Sequence, residues 1–135
     1  MPFLNWSSKL SVGVELIDTQ HKKLIDLINT LHDAMMARKG RDVLGQVLTD
    51  LIDYTKAHFS AEEKLMGAHA YPASADHFAK HKDLVNQVVA LQKRFAGGDL
   101  TLTLDVMTFL KDWLNNHILG TDFKLGEYLK TKGIG

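Results

Sequence analysis

Apolar side chains return every three or four residues along almost the whole of this 135-residue chain, and that period commits it to amphipathic helices. The first run is Ile17, Leu24, Ile28, Leu31 and Met35. It closes on Arg38, Lys39 and Gly40, basic residues and then glycine, as a helix C-terminus does. The second run, Leu44, Val47, Leu48, Leu51, Ile52, Leu65 and Met66, stops near Gly67, with Pro72 in the loop beyond. The third opens near Ser74, its expected N-cap, carries Leu84, Val85, Val88, Leu91 and Phe95, and stops at Gly97 and Gly98. The fourth carries Val106, Phe109, Leu110, Trp113 and Leu114, and a break at Gly120 precedes a short last helix with Phe123, Leu125, Tyr128 and Leu129. Four main helices with short connections predict an all-α fold, an antiparallel up-down-up-down four-helix bundle. Residues 1–16 read as an irregular N-terminal arm whose Phe3, Leu4 and Trp6 pack on the bundle, and residues 17–130 as the bundle with its short C-terminal helix. Together residues 1–135 are expected to form a single domain.

Polar residues stand inside these stripes. His21 lies four residues after Ile17 and three before Leu24, so it faces inward. The stripe 44, 48, 51, 55, 58, 62, 65 places His58 and Glu62 inside, and the stripe 77, 81, 84, 88, 91, 95 does the same for His77 and His81. In the fourth helix the stripe 106, 110, 113, 117 ends on His117, with Asp122 five residues further on. His21 is early in its helix, His58 and Glu62 late, His77 and His81 early, His117 late. In an antiparallel bundle these positions share one level. Taken singly, an inward histidine reads as a hydrogen-bonded core residue and Glu62 as part of a solvated face. Together they would bury two carboxylates at a cost of several kcal/mol each unless a cation supplies the counter-charge.

Composition narrows the chemistry. There is no cysteine, which excludes disulfides, iron–sulfur clusters, thiolate zinc sites and c-type haem attachment. Sixteen basic residues balance sixteen acidic ones, leaving no electrostatic footprint for nucleic acid or an anionic membrane surface. No stretch approaches the roughly eighteen apolar residues of a membrane span, and the N-terminus lacks the pattern of a signal peptide. A cytoplasmic monomer is therefore expected. Five histidines and two carboxylates exceed the four ligands of a structural zinc. Calcium and magnesium prefer oxygen shells, whereas imidazole with carboxylate suits iron among other transition metals. If both carboxylates and one solvent-derived oxygen bridge two ions, and the histidines divide three and two, one ion has six ligands. The other has five and keeps an open position.

The segment I-D-T-Q-H-K-K-L around His21, H-F-S-A-E from His58 to Glu62, H-F-A-K-H from His77 to His81 and H-I-L-G-T-D from His117 to Asp122 together resemble the hemerythrin signature, in particular its bacterial single-domain branch, over residues 6–130. The resemblance implies two iron ions bridged by an oxo or hydroxo group, Glu62 and Asp122. His77, His81 and His117 would complete the six-coordinate iron, and His21 and His58 would hold the five-coordinate one. It also implies reversible dioxygen binding at the open position, for transport, storage or delivery, without catalysis. Leu114 matches the bulky aliphatic residue that the family places over the dioxygen site and Trp113 its pocket tryptophan. Plain core packing is equally expected of Leu114 and Trp113, and Ile25, Phe59 and Ile118 are weaker candidates for the same wall. His32 and His69 match no ligand position. Glu63 and Asp18 lie near ligands but are expected on solvated faces rather than as outer acceptors for the imidazoles.

Two other functions compete. A di-iron oxidase or peroxidase of the ferritin-like kind uses Glu-x-x-His pairs, and no glutamate here is followed by histidine three residues on. A histidine-rich site leaves little carboxylate freedom to open a second coordination position, which favours binding over turnover. An oxygen or redox sensor would have to act through a separate partner.

Overall fold

Helices form where the stripes place them. A computed structural model describes residues 4–38, 41–98 and 104–134. It contains a 3-10 turn, Ser8–Leu10, then α1 (Glu15–Met36), α2 (Arg41–Ala68), α3 (Ser74–Ala96) and α4 (Leu104–Asn116). A π-helical segment, His117–Asp122, then leads into α5 (Phe123–Thr131). The fold is the expected all-α bundle: α1 packs on α2, α2 on α3, and α4 closes against α1. Among the described residues no helix is long and apolar enough to cross a membrane.

The core follows the stripes. Ile17, Leu24, Ile28 and Leu31 of α1, Leu48, Leu51 and Ile52 of α2, and Leu84, Val88 and Phe95 of α3 are buried. In α4 the buried line is Met107, Leu110 and Leu114, while Val106, Phe109 and Trp113 are half-buried. That stripe is thus rotated by about one residue from the expected one.

Three local expectations change. Ser74 is the first residue of α3 rather than its cap; the N-cap is Ala73, which makes no side-chain cap bond. The Ser74 hydroxyl instead donates to the Tyr71 carbonyl (2.6 Å), closing the turn that Pro72 bends. Gly120 does not break the chain, because a wider helical turn carries it through to α5. The arm is also more ordered than expected, and α1 starts two residues before Ile17. Leu4 is buried and Trp6 half-buried against the core, whereas Phe3 lies outside the described residues.

Specific bonds hold the arm. Leu4 N–H donates to Asn29 Oδ1 and Asn29 Nδ2 donates back to the Leu4 carbonyl, each at 2.8 Å. Asp18 accepts from the Ser11 hydroxyl (2.5 Å) and from Val12 N–H (2.8 Å). It therefore clasps the arm at the start of α1, neither facing open solvent nor meeting an imidazole. Beyond this clasp the arm lies directly on α5 at Gly126, where a Cβ would stand 2.1 Å from the Val12 carbonyl oxygen.

Gly126→Ala should therefore destabilise the protein by about 1–3 kcal/mol, the usual cost of overpacking, read as a lower urea midpoint. Gly67→Ala, with nothing within 4 Å of the added carbon, should leave the midpoint unchanged or raise it. Equal effects of the two substitutions would contradict the close contact between arm and α5.

Candidate metal centre

The predicted inward residues meet at one end of the bundle. His21 comes from α1, His58 and Glu62 from consecutive turns of α2, His77 and His81 from consecutive turns of α3, and His117 and Asp122 from the two ends of the π-helical segment. None of the seven is more than 5% exposed. The spacing of the last pair explains the π-helix. In an α-helix, side chains three or four apart share a face and those five apart do not. Hydrogen bonds from i to i+5 widen the turn by one residue, a feature that recurs at functional sites. Here it brings Asp122 Oδ1 to 3.0 Å from His117 Nε2.

The ligand atoms fall into two overlapping groups, each with all its atoms within 4.8 Å of one another. One contains His77, His81, His117, Glu62 and Asp122; the other contains His21, His58, Glu62 and Asp122. Both carboxylates are common to the two. Asp122 divides its oxygens between them: Oδ2 lies 2.8 Å from His21 Nε2, and Oδ1 lies 3.0 Å from His77 Nε2. Glu62 Oε1 is 3.1 Å from His81 Nε2 and 3.5 Å from His58 Nε2.

These approaches are close, yet most are not hydrogen bonds. His21 Nε2, His58 Nε2, His77 Nε2 and all four carboxylate oxygens are buried with no hydrogen-bond partner. Their lone pairs converge on shared points rather than on one another. Buried polar atoms left in this way are expensive, and cations at the two points would satisfy them. The donor set fits such ions: imidazole nitrogens and carboxylate oxygens, with no thiolate.

The titration behaviour reflects this crowding. Burial pushes the His58 imidazole down to about 4, although Glu62 pulls the other way. At His77 burial also lowers the pKa, but the facing carboxylates of Asp122 and Glu62 outweigh it and carry the group up to about 9. Burial alone would raise Asp122, but His117, His21 and His77 hold it well below the usual carboxylate range.

Two imidazoles have outer partners. His81 Nδ1 donates to Glu63 Oε2 at 3.0 Å, so Glu63 is the outer acceptor that the sequence reading assigned to a solvated face. His58 Nδ1 donates to Gln20 Oε1 at 2.6 Å. Sequence reasoning passed over Gln20: it precedes His21 and so points to a different face of α1, and only the packing of α1 on α2 brings it to His58. His32 and His69, both half-buried, belong to neither group. The neighbouring aromatic rings lie flat on the histidines. Phe59 stacks on His81 with centroids 3.8 Å apart, and Trp113 stacks on His117 at 4.6 Å. Ile25, Leu114 and Ile118 are buried.

The family model described as the hemerythrin HHE cation binding domain matches residues 12–129. The bacteriohemerythrin of Stenotrophomonas maltophilia is 35% identical over 130 residues, covering 96% of this chain and 84% of its own length. That of Methylococcus capsulatus is 37% identical over 130 residues, covering 96% and 98%. Among solved structures, a wild-type hemerythrin superposes with a TM-score of 0.89 at 37% identity, covering 94% of this chain and 98% of that one. A hemerythrin variant with one leucine replaced by alanine superposes at 0.91 and 36% identity, covering 96% and 98%.

Stripped of metal by a chelator, the protein should be most stable near pH 6.5. His58, held at about 4, protonates later than its unfolded counterpart at 6.5, so stability rises with pH between those values. His77, held at about 9, keeps its proton longer than the unfolded chain, so stability falls from 6.5 to about 9. Urea midpoints of the stripped protein should pass through that maximum; a steady climb through pH 8 would contradict the paired shifts.

Proposed function

The chain belongs to the hemerythrin family, and from that premise we propose that it binds dioxygen reversibly, as a carrier, store or delivery protein, at two iron ions in the bundle core. The observation that carries the reading is the pair of overlapping donor groups that share both buried carboxylates. In this reading His77, His81 and His117 would hold one iron and His21 and His58 the other, with Glu62 and Asp122 available to both. Residues 1–135 act as one domain. When bound, the irons supply the two electrons that dioxygen takes up and returns.

The chain's own part is to hold the donors and keep water away. Each histidine comes from a packed helix and enters with its Nε2 inward, so little reorganisation is needed when charge moves. One turn beyond the donors lies an apolar cavity of about 30 Å³ whose lining includes Leu24, Ile28, Phe59, Trp113 and Leu114. Measured the same way, roughly 10–15 Å³ admits one water-sized molecule, so a diatomic gas fits. Water would gain little there, because the hydroxyl of Thr55, also in the lining, already donates to the Leu51 carbonyl at 2.7 Å. A neutral, apolar diatomic loses nothing in such a space. Ile25 and Ile118, the other two residues expected in the dioxygen pocket, are buried but do not line this cavity. A pocket that excludes water and protons favours release of intact dioxygen over irreversible oxidation.

Loading the protein anaerobically with ferrous iron and admitting air should produce a visible absorption band that vanishes under argon and returns over several cycles. Permanent oxidation on the first exposure would overturn reversible binding and favour an oxidase or redox sensor. Leu114→Ala should accelerate autoxidation severalfold by letting water reach the centre; an unchanged rate would remove Leu114 from the pocket wall.

A further inference from the structure

We propose that Glu63 makes the two halves of the centre unequal: by positioning His81 and lending it negative charge, it causes the three-histidine half to take its metal ion first. This inference rests on the two-metal reading above. The outer partners differ in kind. His81 donates to a carboxylate, Glu63 Oε2, at 3.0 Å, whereas His58 donates to a neutral amide oxygen, Gln20 Oε1, at 2.6 Å. A hydrogen bond to an ionised acceptor is roughly twice as strong as a neutral one, and it raises the basicity of the ligand nitrogen on the far side of the ring. That nitrogen, His81 Nε2, lies 3.1 Å from Glu62 Oε1 and 3.2 Å from His117 Nε2, inside the three-histidine group.

The geometry makes His81 an effective relay. Phe59 lies parallel to its ring within 3° at 3.8 Å, which blocks tilting, and Glu63 fixes the proton on Nδ1. His58 is held less flatly, edge-on to His21 and tilted against Phe59. Both halves share Glu62 and Asp122; Glu63, by contrast, is bonded to an imidazole of the three-histidine half. It sits in a cleft between α2 and α3 lined by Lys56, Phe78 and Lys82. Its side chain is 38% exposed, so solvent screens its charge through space and its influence passes chiefly through the hydrogen bond. The same exposure allows it to be replaced without opening the core.

The test titrates chelator-stripped protein with cobalt(II), following ligand-field absorption for affinity and paramagnetically shifted imidazole protons for location. The wild-type protein should bind two ions in resolved steps, the first shifting His81 and His117 before His21 and His58. Glu63→Gln keeps the shape and the acceptor but removes the charge. It should weaken the first step about 10–100-fold, the usual scale for an outer partner of a metal ligand, and draw the steps together. Gln20→Glu should tighten the second step, and the double exchange Q20E/E63Q should reverse the filling order. Should E63Q not fold, Q20E alone carries the test. Two ions bound by wild type and variants with identical steps would overturn the role of Glu63. A wild-type protein that saturates at one ion would overturn the two-metal reading itself.

Discussion

Two carboxylates with no exposed surface and no hydrogen bond, Glu62 and Asp122, are the constraint on which the structure turns. Neither could stay ionised in an apolar bundle without positive charge close by. Histidines on α1, α2 and α3, and at the end of α4, gather around them, and each donor brought in dictates the register of its helix. One end of the bundle is therefore organised by charge and direction. The other end, around Leu48, Leu51, Leu84, Val88 and Leu110, is ordinary apolar packing, where size and shape matter more than identity.

The junction of these two regions is where chemistry and packing meet. Phe59 belongs to both: one residue from His58, it is flat on His81 and also lines the apolar cavity. Trp113 does the same on α4, stacked on His117 and in the cavity lining, where Leu114 follows it. The cavity wall carries a single hydroxyl, that of Thr55, which donates to the Leu51 carbonyl. Polar access, by contrast, lies on the outside through Glu63 and its cleft. A second polar cleft opens beside His117, and Trp113 belongs to its lining as well.

Much of this was legible in the sequence, because helical period and donor identity are local properties. The stripes placed His21, His58, Glu62, His77 and His81 correctly, since each stands three or four residues from an apolar neighbour in its own helix. What could not be read depends on neighbours distant in sequence or on departures from the ideal period. Gln20 is invisible until α1 meets α2, and Glu63 differs from a solvated glutamate only because His81 arrives opposite it. Ser74 serves the turn before it rather than the helix after it, a choice made by Tyr71 and Pro72. Gly120 was read as a break before Asp122; instead the chain continues through it by widening one turn, which accommodates the five-residue step from His117.

That widened turn ties together features that would otherwise be separate. Everything after Asp122 inherits its phase: Leu125 and Leu129 enter the core, and Gly126 presents a bare backbone to the carbonyl of Val12. Each residue of helix turns the chain by about 100°. A single deletion between His117 and Asp122 would therefore swing the Asp122 carboxylate, shared by both donor groups, out of the cluster and, in the same motion, lift the arm from its seat. The shared carboxylate and the seat of the arm have one angular setting, so this end of the protein can drift in sequence only by substitution and not by change of length.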